Sequence, residues 1–234
     1  NVGAMRNRGV EINVSADVLR IKDFTWNVNA NVSYNKNEIT ELYNGITEYV
    51  ASDTGRMVAV GHPLGEFYLN RYAGVNPING DALWYTKDGE ITTEYNESDK
   101  VMLGKTHEAP WQGGFGTTLS WQGFSLSAQF TWVADRWMLN NDRVFQESNG
   151  LFSAYNQSKR MLYDRWKKPG DVTDIPRYGV TPQLDSRFLE DASFLRLKNL
   201  MLSYTFPQKW LQRTNFLSSA RIYAQGQNLL TFTS

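Results

Sequence analysis

Residues 114–132 read GFGTTLSWQGFSLSAQFTW, two alternating runs with a Gln-Gly step between them. Phe115, Thr117, Leu119 and Trp121 share one parity with Gly116, Thr118 and Ser120 on the other; after Gln122-Gly123 the pattern resumes as Phe124, Leu126, Ala128, Phe130 and Trp132 against Ser125, Ser127, Gln129 and Thr131. Successive side chains of a β-strand point to opposite faces, so each run has one apolar and one polar face. Two residues are enough for a tight hairpin turn. The polar face is small and uncharged, and aromatics gather at the ends of the apolar one. A hairpin of this kind suits a membrane barrel, with lipid on one side and a wet lumen on the other.

Composition narrows the alternatives. Lys+Arg and Asp+Glu both number 24, so no global field calls for nucleic acid as a partner. With no cysteine there is no disulfide framework, thiol nucleophile or zinc-thiolate site. No apolar run reaches the roughly 18 residues of a spanning helix. A barrel stays open, because alternating strands average to modest hydropathy. The chain starts at Asn1 without an initiator Met and stops at Ser234 beside a strand-like run, and it reads as an internal piece of a longer protein.

Residues 9–20 alternate Val10, Ile12, Val14, Ala16 and Val18 with polar neighbours. After Lys22-Asp23, residues 24–34 alternate again, with Phe24, Trp26, Val28, Ala30, Val32 and Tyr34 on one parity. Ten steps give roughly 33 Å of strand, or about 25 Å of height at a tilt of about 40°, which matches the apolar band of an outer-membrane barrel. Residues 42–112 then form an excursion rich in Gly, Pro, Asn and Asp, with short strands expected at 67–72 and 83–85. A second excursion covers residues 135–191, with a short helix expected at 153–166. Residues 193–206 return to strand, and the parity switch at Lys198-Asn199, from Leu195 and Leu197 to Leu200, Leu202 and Tyr204, predicts a β-bulge. A turn at 207–218 precedes a sixth strand from Ala220 to about Leu230.

Connections therefore alternate short and long. Phe24, Trp26, Trp121, Phe124, Tyr204 and Phe206 all lie beside the short ones, as an interfacial girdle would. The expected fold is all-β: a fragment of a large antiparallel transmembrane barrel, about six strands in three hairpins, with short turns facing the periplasm and long loops outside. A soluble β-sandwich would need shorter strands and more uniform loops.

Several stretches resemble SusC-like (RagA/SusC) TonB-dependent outer-membrane transporters. They are NVGAMRNRGVE at 1–11, GHPLGEFY followed by AGVNPINGD within 61–81, PWQGGF at 110–115, FLEDASFLRLKNLMLSYTFP at 188–207 and QGQNLLTFT at 225–233. Together they span nearly the whole chain. The resemblance implies that residues 1–234 are a C-terminal portion of a 22-strand barrel whose plug, TonB-contacting segment, remaining strands and last strand lie outside this piece. It further implies energised import of oligosaccharides or peptides through the bacterial outer membrane. The partners would be a SusD-like surface lipoprotein, the TonB complex and outer-membrane lipid. A structural or adhesive barrel without transport is the alternative.

No catalytic constellation or cofactor site is expected. His62 and His107 lie in the first excursion without a serine–acid arrangement or metal-ligand spacing. Asn76, Asn79, Asp81 and Asp88 do not fit the EF-hand spacing and read as turn residues. Glu190-Asp191 reads as a loop-to-strand junction. Aromatic rings beside amide or guanidinium groups suit sugar or peptide contact, which makes Tyr68, Asn70, Arg71, Trp84, Tyr85 and Trp111 the candidate ligand-binding residues. Tyr72, Trp137 and Tyr155 are further rings in the same excursions. The Lys, Arg and Tyr run at 159–168 suits a polar protein–protein rim, with Arg160 and Arg165 as its expected contacts.

Overall fold

The computed structural model describes residues 3–51, 55–152, 154–214 and 216–233. Asn1 and Val2 of the first resemblance motif, Ser153 of the expected helix, Asn215 of the expected turn and Ser234 lie outside the described residues. The chain forms two units. The sheet unit comprises Asn7–Lys36, Ala109–Arg136 and Ala192–Ser234, and the loop unit Asn1–Arg6, Asn37–Glu108 and Trp137–Asp191.

Six strands make one sheet in sequence order: β1 (Gly3–Ile21), β2 (Phe24–Leu42), β3 (Trp111–Trp121), β4 (Phe124–Ala134), β5 (Phe194–Thr205) and β6 (Arg221–Thr233). The pairings from β2 to β6 are antiparallel. β2 runs on past Tyr34 through Asn35, Lys36 and Asn37, farther than its apolar alternation. Polar residues do not end a strand whose ladder partners persist, and the Asn35 amide still donates to the Pro110 carbonyl at 2.9 Å.

Register aligns the alternating residues into rows, because side chains paired across a ladder point to the same face. Phe24, Trp121, Phe124, Tyr204 and Ile222 make the row beside the short turns. Trp26, Leu119, Leu126, Leu202 and Ala224 follow, then Val28, Thr117, Ala128, Leu200 and Gly226. Ala30, Phe115, Phe130, Leu197 and Leu230 form the next, with the Phe115 and Phe130 rings stacked at 4.8 Å. Aromatic rings return at the far end, where Tyr34 meets Trp111 at 4.5 Å. Thr117 is the one aliphatic hydroxyl in these rows, and its Oγ1 accepts from Trp26 Nε1 at 2.8 Å, so the polar atom is satisfied within the sheet.

The opposite face is polar. Thr118 Oγ meets Ser127 Oγ at 3.3 Å, and Gln225 Nε2 donates to Asn199 Oδ1 at 2.8 Å. Such cross-strand pairs stabilise a ladder on a wet face. The bulge falls where parity predicted it. Gln129 pairs with Asn199 and Phe130 with Leu197, so Lys198 is the extra residue that returns Leu195 and Leu197 to the apolar face.

The Gln122-Gly123 turn has positive φ at both residues, 46° and 92°. A Cβ on Gly123 would also lie 2.7 Å from the Thr205 carbonyl oxygen, a backbone atom. Gly123→Ala is therefore expected to cost about 2 kcal/mol, mostly from the left-handed conformation, whereas Gln122→Gly relieves strain. Urea unfolding of the full-length protein in lipid checks this, and equal midpoints for Gly123→Ala and wild type would refute it.

In the loop unit the first excursion is more structured than its sequence pattern suggested. It holds a four-stranded sheet (Glu48–Ala51, Arg56–Ala59, Glu66–Leu69, Val101–Thr106) and a three-stranded one (Arg71–Val75, Ala82–Tyr85, Ile91–Thr92). Phe67, Leu69 and Leu189 form a core against Leu103, Trp137, Leu139 and Leu184. In the second excursion the strand Trp137–Leu139 pairs with Leu189–Asp191. The helix expected at 153–166 is reduced to Lys159–Tyr163, capped by Ser158, because the residues before it turn instead. A second helix, Asn141–Gln146, is capped by Asn140 and was not expected.

Candidate functional site

The candidate ligand residues fall around the junction where the chain passes from the strand Glu66–Leu69 into the hairpin Arg71–Val75 and Ala82–Tyr85. Asn70 is the single residue between the two sheets. It is fully buried, bridges in parallel to Asp185 and donates from Nδ2 to the Asn96 carbonyl at 2.7 Å, while its backbone carbonyl accepts from Ser186 N at 3.0 Å. Its side chain pins the crossing and is closed to solvent.

Hairpin pairing separates the remaining candidates. Arg71 pairs with Tyr85, and Tyr72 with Trp84. Neighbours along a strand face opposite sides, so Trp84 and Tyr85 do not share a surface. The Arg71 guanidinium lies over the half-buried Tyr85 ring at 5.3 Å and donates to the Thr86 carbonyl at 2.7 Å. Trp84 turns inward, edge-on to Tyr72 and Tyr95, with Nε1 donating to Asp185 Oδ2 at 2.8 Å. Burial pushes the Asp185 carboxyl up, against the pull of the Trp84 and Arg187 N–H groups. Burial likewise raises the Tyr72 phenol, which donates to the Asp174 carbonyl at 3.0 Å.

Of the six candidates, Asn70 and Trp84 are buried and donate their side-chain N–H groups inside the fold. Tyr68 is half-buried in the other sheet, paired with Met102. Trp111 belongs to the sheet unit, where it packs on Tyr34. Only Arg71 and Tyr85 are brought together on one accessible face. The turn at 76–81 uses its oxygens internally: Asn76 Oδ1 accepts from Ile78 N, Asn79 Oδ1 from Asp81 N, and Asp81 Oδ1 from Arg177 Nε at 2.9 Å.

A second centre went unforeseen. Glu147, almost fully buried, receives Arg143 through both carboxylate oxygens at 3.1 Å and Arg160 Nη1 at 2.8 Å. Arg143 Nη1 donates to Glu190 Oε1 at 2.6 Å, and Arg160 Nη2 to Asp174 at 2.7 and 2.8 Å. The i,i+4 spacing of Arg143 and Glu147 was legible, but nothing local points to Asp174 or Glu190. Arg160 is therefore an internal tie and not a free rim cation, and Arg165 lies over Tyr178 at 5.4 Å. Glu190 faces Arg143 across the loop rather than pairing with Asp191.

No protein-family model matches the chain. It is 28% identical over its full length to TonB-dependent receptor P3 of Formosa agariphila, covering 25% of that protein. It is 26% identical to TonB-dependent receptor SusC of Bacteroides thetaiotaomicron, with 97% of this chain and 23% of the relative covered. Among solved structures it superposes on a chain of the RagAB peptide transporter with a TM-score of 0.93 and 38% identity, covering all of this chain and 26% of that one. The chain thus spans about a quarter of the length of the relatives it matches. Its sheet corresponds to a piece of a TonB-dependent receptor barrel of the SusC and RagA kind.

Proposed function

Starting from that resemblance, we propose that this chain is part of an outer-membrane importer of oligosaccharides or peptides, energised by TonB and working with a SusD-like surface lipoprotein. The observation that carries the reading is the two-faced sheet. Ile12, Val14, Phe124 and Leu202 are each at least 50% exposed, and they belong to strands whose other face is polar. A continuous apolar face of this extent is untenable in water, and aromatic rows at both ends match the two interfaces of a bilayer. The names of the relatives supply the TonB dependence. Lipid covers the apolar rows, the polar face lines the conduit, and the long excursions face outside, where Tyr68, Arg71 and Tyr85 contact solute.

Labelling of intact cells tests the orientation. In the full-length protein, Asp88→Cys is expected to react with an impermeant maleimide on intact cells, and Lys22→Cys only after permeabilisation. Preferential labelling of Lys22→Cys on intact cells would overturn the orientation. Loss of solute uptake on deletion of the gene, reproduced by deletion of tonB, tests transport itself.

A further inference from the structure

We propose that the cleft between the helix Asn141–Gln146 and the turn that follows it is a platform for one sugar ring. The proposal rests on the importer reading and deepens it by assigning a carbohydrate contact. The cleft has a volume of about 430 Å³ and is lined by Asp142, Phe145, Gln146, Tyr155 and Asn156, within the size range of small-ligand sites.

Its apolar lining is Phe145 and Tyr155, and both rings pack against Phe152, which does not line the cleft. Phe145 lies 4.9 Å from Phe152 and 5.7 Å from Tyr155, and Phe152 meets Tyr155 edge-on at 6.4 Å. Rings this close fill the space between them, which excludes a cage for an ammonium group, because a caged cation needs ring faces arranged around it. What stays open is Tyr155, 59% exposed. Asp142, Gln146 and Asn156 surround it, and their side chains make no hydrogen bond among the described residues.

The arrangement is held in place. Gln157 Nε2 donates to the carbonyls of Phe145 (3.4 Å) and Tyr155 (3.3 Å), and Ser158 N donates to the Gln146 carbonyl at 2.9 Å. Phe152 N donates to Ser148 Oγ at 3.2 Å, and Ser148 is fully buried. A ligand therefore meets a platform already ordered, at low entropic cost.

The chemistry matches a pyranose. A sugar ring offers an apolar C–H face and a rim of hydroxyls, each both donor and acceptor. An exposed tyrosine ring covers the face. A carboxylate accepts from the rim, while two carboxamides both donate and accept. A peptide would be held instead through a strand edge or side-chain pockets.

Calorimetric titration of the full-length protein with maltoheptaose, xylohexaose, mannohexaose and an alanine–glycine hexapeptide tests the assignment. At least one oligosaccharide is expected to bind, with Tyr155→Ala weakening it about tenfold and Tyr155→Phe within about twofold of wild type. Asp142→Ala is expected to weaken the same sugar without affecting the fold, since both residues are exposed. Unchanged affinity in Tyr155→Ala, binding of the peptide alone, or binding of none of the four would overturn the platform. TonB-dependent uptake that persists beside any of those results would leave the importer reading intact. Loss of TonB dependence would strike that reading instead.

Discussion

Replacing Ala128 by arginine is expected to lower the stability of the full-length protein in lipid by about 2–4 kcal/mol, and replacing its neighbour Gln129 by less than about 1 kcal/mol. Ala128 sits in the middle row of the apolar face, paired with Thr117 and Leu200, about as far from both aromatic ends as the sheet allows. A guanidinium there must either desolvate or drag headgroups and water inward. Gln129 is paired with Gly116 and Asn199 on the polar face. Its carboxamide lies where a Cβ on Gly116 would have been, 2.2 Å from the built position, so a longer side chain has room over the glycine. Reversible unfolding in lipid measures both variants. Equal destabilisation would contradict the assignment of faces.

The second large effect belongs to the loop unit. Glu147→Ala is expected to cost about 3 kcal/mol, at the low end of the range for breaking a buried ion pair. Arg143 keeps Glu190 and Arg160 keeps Asp174, so neither guanidinium is left alone. In the full-length protein, hydrogen exchange of the helix amides at 141–146 and 159–163 is expected to accelerate about a hundredfold. Unchanged protection would show that the network does not hold these helices. The same network makes the loop unit acid-sensitive. Burial pushes the Asp174 and Glu190 carboxyls up, but hydrogen bonds from Arg160 and Arg143 pull both below the ordinary carboxylate range. A carboxyl whose folded value is lowered adds stability that is complete above its unfolded value of about 4 and disappears as the pH falls through the folded one. Protection of these helix amides, taken relative to the intrinsic exchange rate at each pH, is thus expected to fall on acidification below about pH 4 in wild type.

How legible each part was follows from the range of the forces that build it. The sheet was readable from sequence alone. Alternation at Phe24 to Tyr34 and Phe115 to Trp132, the two-residue turns at Lys22-Asp23 and Gln122-Gly123, and the parity switch at Lys198 all appear in the structure. Each is a local consequence of strand geometry, since a face of one chemistry must repeat it at every second residue along the strand. The loop unit was not readable, because its core joins residues far apart in the chain. Trp84 and Asp185 are 101 positions apart, and Arg143 and Glu190 are 47. Asn70 and Trp84 looked like ligand residues by type, yet one occupies a sheet-to-sheet crossing and the other the inward side of a hairpin. An aromatic or amide side chain has the same chemistry in a binding surface as in a buried junction. Which of the two it serves depends on the direction its strand faces and on the partner that tertiary folding brings opposite.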